Sequence, residues 1–422
     1  MHRLTTILVN SILMITSMLL VLILAEVSLR FLRPGYVYAA QARFVRSQSR
    51  IWENPLNERY CRPHPDLEKS HLVIHNSLGF RQHRVFSPDK PPHTLRLGFF
   101  GDSMTENLRM EVHYAFTEVL DYLLNRAGIR AEVLNFGTDG YGTGQVYLQY
   151  LQEGLPLDLD LVFYVYSNND LRNIRENDLI DLDAQGQLQI KDAPPPSQTI
   201  PLFNRFYLTY LVTDFLNRLE TDRPAGIDPQ REAELQAERK LRFKQQRYLS
   251  IQYNFAEGNI DPEVQRTLTV FRAMLDAMLQ TASTNGAHFY TVTLMSDADQ
   301  QMQRFLEKTD VPNLSLYEDF HTTYQGHEYR FQNDGHWNEE GNKLAAIVIF
   351  RFIVDALGRE HPGEAFVEQA LYEYYQAFPE MRVSPRFLKQ HQAIPDTLSR
   401  YIQTKYLQLE QNLPEANRCE SQ

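Results

Sequence analysis

Apolar and polar positions alternate in two different ways between residues 95 and 358 of this 422-residue chain. Short runs that are almost wholly apolar end in turn residues, which is typical of strands buried on both faces of a sheet. The longer segments between them carry apolar residues at the spacing of amphipathic helices. The alternation predicts a three-layer α/β/α fold, in which helices cover both faces of a parallel sheet.

The predicted elements follow one another along the chain. The strands are LRLGFFGDS from residue 95, AEVLNFG from 131, LDLVFYVYSNND from 159, AHFYTVTLM from 287 and NLSLYED from 313. The helices are YAFTEVLDYLLNRAG from 114, GQVYLQYLQEG from 144, EVQRTLTVFRAMLDAMLQTASTNG from 263, DADQQMQRFLEKT from 297 and NEEGNKLAAIVIFRFIVDALG from 338.

The N-terminal residues 4–25 carry no charged side chain. As a helix this run would measure roughly 33 Å, which is enough to cross the hydrocarbon core of a bilayer. The run exceeds the apolar core of a signal peptide, so residues 1–30 are predicted to be an uncleaved signal anchor, with a cleaved signal peptide as the alternative. More arginines follow the run than precede it, and this count alone would put the following domain in the cytoplasm.

Three further segments flank or interrupt the α/β region at residues 95–358. Residues 31–94 are rich in proline and predict an irregular lead-in, within which HLVIHNSLGFR, from residue 71, predicts a short strand and a turn. Residues 171–262 break the alternation and predict a helical insertion, whose charged stretch from residue 231 has the pattern of a solvent-exposed helix. Residues 359–422 predict a polar helical tail.

Composition narrows the classes of partner. The formal net charge of −11 argues against a protein that binds nucleic acid or polyphosphate. The two cysteines, Cys61 and Cys419, form no Cys-x-x-Cys motif, so two unpaired thiols are the simpler interpretation and one disulfide of an exported domain is the alternative. The histidines are scattered and the acidic runs have the pattern of helix faces, so no metal site and no cofactor is indicated.

Four polar stretches carry the residues that suggest chemistry. They are FFGDSMTE, LNFGTDGYGTGQ and VYSNNDLRN, each at the end of a predicted strand, and QNDGHWNEEG before the last helix. Ligands bind at the carboxyl ends of the strands in open parallel sheets, so these stretches are expected to share one site. They supply a serine hydroxyl, a glycine N–H, an asparagine side chain and an Asp/His pair, which are the parts of an acyl-transfer site.

With these stretches, the chain resembles the SGNH (GDSL-type) hydrolase family over residues 70–355, and the anchor and lead-in are similar to a membrane-anchored bacterial branch of it. The matching blocks are Gly101–Asp102–Ser103, residues 135–140, residues 167–170 and residues 334–336. The resemblance implies a flavodoxin-like sheet, a catalytic domain outside the cytoplasm and no cofactor. It also implies a triad of Ser103, His336 and Asp334, and an oxyanion hole formed by Ser103, Gly140 and Asn169.

The chain departs from the family pattern in two places. Ser167 stands where the third block usually has glycine. Asp334 and His336 are two positions apart, where the commonest spacing is three, although alginate-type O-acetyltransferases share the shorter spacing. In an extended segment two such side chains point the same way, so Asp334 can reach the imidazole. A dyad with a backbone carbonyl in place of Asp334 is the alternative.

Several residues of these blocks also have structural interpretations. Asp102 is expected to cap the helix after the first strand, and Asp170 to orient its own loop. Trp337 and Asn338 either line the pocket or begin the last helix. His321 and His327 lie near the last block and are weaker candidates for the base.

Three functions follow from these residues. The first is a serine esterase or deacylase acting on an ester, with O-acetyl groups of an envelope glycan as the natural substrate of an anchored enzyme. The second is an O-acetyltransferase that passes the acyl group to an extracellular polysaccharide through the same triad. The third is a non-catalytic scaffold on the same fold. The sequence does not specify the ester or the oligomeric state.

Overall fold

The computed structural model describes residues 45–67, 70–82, 84–193, 249–294, 297–323 and 328–377, together with most of residues 10–28. The chain divides into two compact units, one made of Met1–Arg43 and Pro195–Leu241 and the other of Phe44–Pro194 and Arg242–Gln422. In the first unit the described residues are helical.

Among the described residues, no helix is both long enough and apolar enough to span a bilayer. The predicted span at 4–25 lies partly outside the described residues, and the charged helix predicted from 231 lies almost wholly outside them. The signal anchor and that helix therefore stay predictions. Residues 378–422 of the predicted tail are also outside the described part of the chain.

A five-stranded parallel sheet forms the centre of the second unit, at the positions predicted from the apolar runs. Its order along the sheet is second, first, third, fourth, fifth in chain sequence, which is the flavodoxin-like order. Strands are numbered along the whole described chain, so the hairpins described below take the other numbers. The strands of the parallel sheet are β5 Leu95–Gly101, β6 Ala131–Asn135, β7 Leu161–Tyr166, β10 His288–Thr293 and β11 Asn313–Ser315. The first strand thus lies between the second and the third, and the loops after these three strands meet at one edge.

Helices cover both faces of this sheet, as the alternation predicted. The helices are α1 Ser103–Glu106, α2 Phe116–Arg126, α3 Thr143–Gln149, α4 Asp170–Asn177, α5 Leu249–Ala256, α6 Pro262–Thr284, α7 Asp297–Leu306, α8 Glu339–Ala356 and α9 Glu364–Gln376. Strand β7 shows why both layers form. Phe163 and Val165 pack into a core with α2, α8 and α9, whereas Tyr164 and Tyr166 pack into a core with α3 and α6.

The lead-in is more regular than its prolines predicted. It forms two antiparallel hairpins, β1 Val45–Ser47 with β2 Ile51–Glu53 and β3 Arg59–Pro63 with β4 Ser70–Ile74. Cys61 on β3 is disulfide-bonded, so the simpler interpretation of two unpaired thiols is wrong. Cys419, the only other cysteine of the chain, lies outside the described residues.

The described ends of the insertion are mixed rather than purely helical. Helix α4 is followed by a hairpin of β8 Ile180–Leu182 and β9 Leu188–Ile190, and α5 leads back into α6. After α8, the first part of the tail forms α9, whose buried Tyr374 donates a hydrogen bond from its hydroxyl to the carbonyl of His113 at 2.7 Å. Helix α9 therefore packs as part of the α/β layer that contains α2.

Candidate active site

Ser103 is the first residue of α1, directly after the central strand β5. Asp102 caps this helix by accepting the Met104 N–H at 2.9 Å, which confirms the predicted cap. A Cβ on Gly101 would lie 2.3 Å from the Thr105 hydroxyl oxygen, so the sharp turn from strand to helix requires a glycine there. The Ser103 side chain is 8% exposed at this edge of the sheet.

The structure brings Ser103, His336 and Asp334 into one hydrogen-bonded series. The His336 Nε2 lies 2.7 Å from the Ser103 Oγ. The Asp334 Oδ1 contacts the His336 Nδ1 and also accepts the backbone N–H of His336 at 2.9 Å. An Nδ1–H that donates to Asp334 leaves the Nε2 lone pair to accept the serine hydroxyl proton. At the two-residue spacing, the Asp334 side chain accepts the backbone N–H of His336, as in an Asx-turn. This turn brings the carboxylate against the imidazole of the same histidine.

Arg109 contacts the other oxygen of the Asp334 carboxylate. Its Nε lies 3.4 Å from the Asp334 Oδ2, and its Nη1 lies 3.4 Å from a carboxylate oxygen of Asp139. Partial burial raises the pKa of Asp334, but the hydrogen bonds and charge of His336, with the charge of Arg109, outweigh it and hold this pKa well below its usual range. Asp334 is therefore ionised at neutral pH.

The three predicted oxyanion donors follow three adjacent strands. Ser103 follows β5, Gly140 follows β6 and Asn169 follows β7. Asn169 is the N-cap residue of α4, yet its side chain does not cap that helix. Within the described part of the chain, no group accepts the N–H of Ser103, the N–H of Gly140 or the side-chain amide of Asn169. As far as the described residues go, all three predicted donors are open to an external acceptor at this edge of the sheet.

Close packing sets the loop that carries Gly140. Asn135 accepts the Gly137 N–H at 2.9 Å, which turns the chain out of β6. A Cβ on Gly137 would lie 2.2 Å from the backbone nitrogen of Glu106, so the glycine loop lies directly against the end of α1. Glycine at this position brings the predicted nucleophile loop and the predicted oxyanion loop into contact.

Two buried aspartates organise the third block. The Asp170 Oδ2 accepts the Ser167 N–H at 2.9 Å and the Tyr164 hydroxyl at 2.5 Å, so Asp170 orients its own loop as predicted. Burial, reinforced by the nearby charge of Asp102, raises the pKa of Asp170 well above its ordinary value. The Ser167 hydroxyl donates to the Asp102 Oδ1 at 2.8 Å and so joins the third block to the first.

The lead-in supplies contacts, not identified from the sequence, to the loop that carries the predicted nucleophile. Arg81 is completely buried, and its guanidinium donates to the carbonyls of Glu106, at 3.1 Å, Asn107 and Met110. Burial lowers the pKa of Arg81 to about 10, so it remains a cation at neutral pH. The motif HNSLGFR contains this arginine, but only its pairing across some 25 residues reveals the role.

Two more lead-in residues hold the loops of the site. His75 Nε2 lies 2.8 Å from Glu106 Oε1, and Glu106 Oε2 accepts the Asp139 N–H at 2.6 Å. Asp66 accepts the backbone N–H groups of Gln332 and Asn333 at 2.8 and 2.9 Å, immediately before Asp334. The lead-in therefore contacts the loops that carry the predicted nucleophile, the predicted oxyanion glycine and the predicted triad acid.

The weaker candidates have other environments. The His321 ring packs on Tyr317 at a centroid distance of 4.0 Å, and His327 lies outside the described residues. Trp337 is 1% exposed in the core, and Asn338 is the N-cap of α8, where its side chain accepts the Gly341 N–H at 3.0 Å. Asn338 thus begins the last helix.

No protein-family model and no curated protein matches the chain. Solved structures that it overlaps include a lipase/acylhydrolase from Enterococcus faecalis, at 15% identity over 61% of this chain and 95% of that one, with a TM-score of 0.33. A member of the lipolytic G-D-S-L family from Veillonella parvula is 13% identical over 61% of this chain and 97% of that one, with a TM-score of 0.32. A catalytic mutant of an acetylxylan esterase from Geobacillus stearothermophilus is 12% identical over 63% of this chain and 95% of that one, with a TM-score of 0.35. At these scores, the fold and the site rest on the geometry of this chain alone.

Proposed function

We propose that this chain is a serine esterase or deacylase of the SGNH type, with Ser103 as nucleophile, His336 as general base and Asp334 as the triad acid. The observation that carries the proposal is the 2.7 Å contact between the Ser103 Oγ and the His336 Nε2, on an imidazole whose Nδ1 contacts Asp334. A serine hydroxyl is a weak nucleophile until a base accepts its proton, and this arrangement provides the base and its orienting acid.

The reaction has two half-reactions through an acyl-serine. In the first, His336 takes the hydroxyl proton as the Ser103 oxygen attacks the ester carbonyl, and then gives that proton to the departing alcohol oxygen. In the second, His336 takes a proton from water, whose oxygen attacks the acyl-serine, and returns it to Ser103 as the carboxylic acid leaves. Asp334 stabilises the imidazolium in both, consistent with its low pKa.

Both tetrahedral intermediates carry a negative oxygen. The Ser103 N–H, the Gly140 N–H and the Asn169 side-chain amide would bind it, and each such donor contributes about 3 kcal/mol of transition-state stabilisation. Their lack of acceptors within the described part of the chain supports this assignment.

The proposed substrate is an ester outside the cytoplasm, such as an O-acetyl group of an envelope glycan. Two features support that location. The uncharged run at 4–25 has the length of a membrane anchor. The disulfide at Cys61 is typical of oxidising compartments.

An O-acetyltransferase is the second candidate, favoured by the two-residue spacing of Asp334 and His336. It shares the first half-reaction and differs in that a sugar hydroxyl, rather than water, attacks the acyl-serine. Release of p-nitrophenol from p-nitrophenyl acetate, measured with and without a glycan acceptor, separates the two. Transfer of acetyl to the glycan instead of release as acetate identifies a transferase.

Labelling with a fluorophosphonate probe tests the proposed nucleophile. We expect the wild-type protein to be labelled on Ser103 and the Ser103→Ala protein to be unlabelled. Ser283→Ala, which removes an exposed hydroxyl on α6, is the matched control and should label like the wild type. Equal labelling or equal turnover of the wild-type and Ser103→Ala proteins would show that the proposed site is wrong, and absence of both in the wild type would favour a scaffold.

A further inference from the structure

Gly140 lies in a tight turn whose geometry determines where its N–H points. The Tyr141 N–H donates to the Thr138 carbonyl at 3.0 Å, which defines a β-turn over residues 138–141. Gly140, the third residue, has a φ of +79°, whereas Asp139, the second, is not among the residues with positive φ. This combination is that of a type II turn.

The central peptide of such a turn has two orientations. Types I and II differ mainly by a flip of the peptide between the second and third residues, and glycine at the third position tolerates both. In this trans peptide the Asp139 carbonyl and the Gly140 N–H point in opposite directions. Whatever binds the Asp139 carbonyl therefore also sets the direction of the Gly140 N–H.

Trp52 on β2 binds that carbonyl. Its indole Nε1–H donates to the Asp139 oxygen at 3.2 Å. A Cβ placed on Gly140 would lie 3.4 Å from the Trp52 ring, so the indole borders the whole 139–140 peptide. The preceding peptide, between residues 138 and 139, is held as well, because the Glu106 carboxylate accepts the Asp139 N–H at 2.6 Å.

Trp52 is itself fixed in place. The Tyr141 hydroxyl donates to the Trp52 carbonyl at 2.6 Å, and the two rings pack edge to face with centroids 5.8 Å apart. The Trp52 N–H donates to the Arg50 carbonyl at 2.9 Å. Because Trp52 is held at both its backbone and its ring, its indole is preorganised to orient the turn.

We propose that Trp52 is a positioning residue of the oxyanion hole, which acts by keeping the 139–140 peptide in the orientation that presents the Gly140 N–H to substrate. The inference rests on the proposed function. An oxyanion donor acts on the transition state rather than on the bound ester, so losing its orientation lowers kcat and leaves KM nearly unchanged.

The first test is Trp52→Phe, which keeps an aromatic ring and removes the N–H donor. We expect kcat for p-nitrophenyl acetate to fall on the order of tenfold, less than complete loss of an oxyanion donor would cause. The inhibition constant of an alkyl boronic acid, which forms a tetrahedral adduct on serine, should rise by the same factor. A rise in KM with kcat unchanged would instead make Trp52 a substrate contact and overturn the proposal.

A second test changes one atom of the indole. The chain has only two tryptophans, and the Nε1 of Trp337 is buried without a hydrogen-bond partner within the described part of the chain. Replacing both with the benzothiophene analogue, which puts sulfur in place of N–H, therefore removes one hydrogen bond among the described residues, the bond from the Trp52 indole to the Asp139 carbonyl. This protein keeps the ring shape, so it decides the question even if Trp52→Phe fails to fold.

The outcomes separate the two levels of inference. A slower kcat and a weaker boronate in the analogue protein, with fluorophosphonate labelling retained in the wild type, support Trp52 as the positioning residue. Wild-type kcat and boronate affinity in the analogue protein overturn this inference and leave the proposed function standing. A wild-type protein that neither labels nor turns over ester overturns the proposed function, and this inference with it.

Discussion

The hydroxyl of Ser167 donates a hydrogen bond to the buried carboxylate of Asp102 across a distance of 2.8 Å. The same Asp102 oxygen caps α1, the helix that begins with Ser103. The Ser167 hydroxyl thus ties the loop after β7 to the loop after β5. Glycine at this position would leave Asp102 with its backbone donor alone.

Removing this tie should destabilise the protein in a pH-dependent way. Burial raises the pKa of Asp102, and the hydrogen bonds of Met104 and Ser167 oppose that rise. Ser167→Ala should therefore cost about 1–3 kcal/mol of unfolding free energy where Asp102 is ionised, and less where it is protonated. Urea unfolding at pH 8 and pH 4.5 tests this.

The matched control for that prediction is Ser49→Ala, which removes an exposed hydroxyl that donates to Gln152 at 3.1 Å. It should change the unfolding free energy by less than about 0.5 kcal/mol at either pH. A loss in Ser167→Ala that is equal at the two pH values would contradict the assigned role of Asp102.

Arg109 should matter for turnover because it contacts the second carboxylate oxygen of Asp334, the proposed triad acid. Arg109→Met leaves the Asp334 Oδ2 without its cation, so the carboxylate is free to rotate away from the imidazole. We expect kcat to fall about tenfold in this variant and less in Arg109→Lys, which retains the charge without the planar fork. Steady-state kinetics with p-nitrophenyl acetate provides the measurement.

The control is Arg272→Met, which removes an exposed ion pair with Asp276 on α6. It should leave kcat unchanged. Wild-type kcat in Arg109→Met would show that the Asx-turn alone suffices to hold Asp334.

Asp66 should rigidify the loop that leads to Asp334. In Asp66→Ala the N–H groups of Gln332 and Asn333 lose their acceptor, so amide hydrogen exchange at residues 332–336 should accelerate and kcat should fall severalfold. Asp183→Ala is a matched control because it also removes one aspartate that accepts two backbone N–H groups, in the turn between β8 and β9. Equal kcat losses in the two variants would contradict a specific role for Asp66.

His71 should make the fold sensitive to acid. It is 1% exposed with its Nε2 2.8 Å from the Leu108 carbonyl oxygen, and burial together with the charge of Arg81 lowers its pKa well below the ordinary 6.5. Below that pH the unfolded chain binds a proton that the folded protein does not, so stability falls by up to about 1.4 kcal/mol for each further pH unit.

The test compares the wild type with His71→Gln between pH 7.5 and pH 5.5. The variant has a lower unfolding free energy at pH 7.5 because it loses buried packing, but its decline with acid should be shallower. An unchanged slope would mean that other groups account for the acid sensitivity.

Sequence alone predicted the centre of the sheet because strands β5, β6 and β7 are buried on both faces. Phe163 and Tyr164 pack into opposite cores, so the whole of β7 is an apolar run, and its length of 6 residues favours a strand covered on both faces. The predicted nucleophile and oxyanion residues follow strand ends, and Asp334 and His336 lie just before the last helix, which is why their blocks could be located without knowing any distance.

The lead-in could not be predicted in the same way. Strands β1 and β2 have only three residues each, too few for a periodic pattern to emerge. The roles of Trp52, Asp66 and Arg81 depend on partners far along the chain, and Asp66 meets residues 266 and 267 positions away. Nothing local in the sequence distinguishes these side chains from ordinary surface or core residues.

The dependence of the reactive loops on residues 50–81 has a practical consequence for anyone who trims this protein. A shortened version starting at Leu95 would retain every strand of the parallel sheet but would lose the Arg81 guanidinium, which donates to three carbonyls close to the proposed nucleophile. Inactivity of such a fragment would not show that the full chain lacks activity, because the fragment would also lack the contacts that hold the loops of the proposed site. A chimaera with a homologue has the same requirement: the two hairpins and the loops that they contact must come from the same protein.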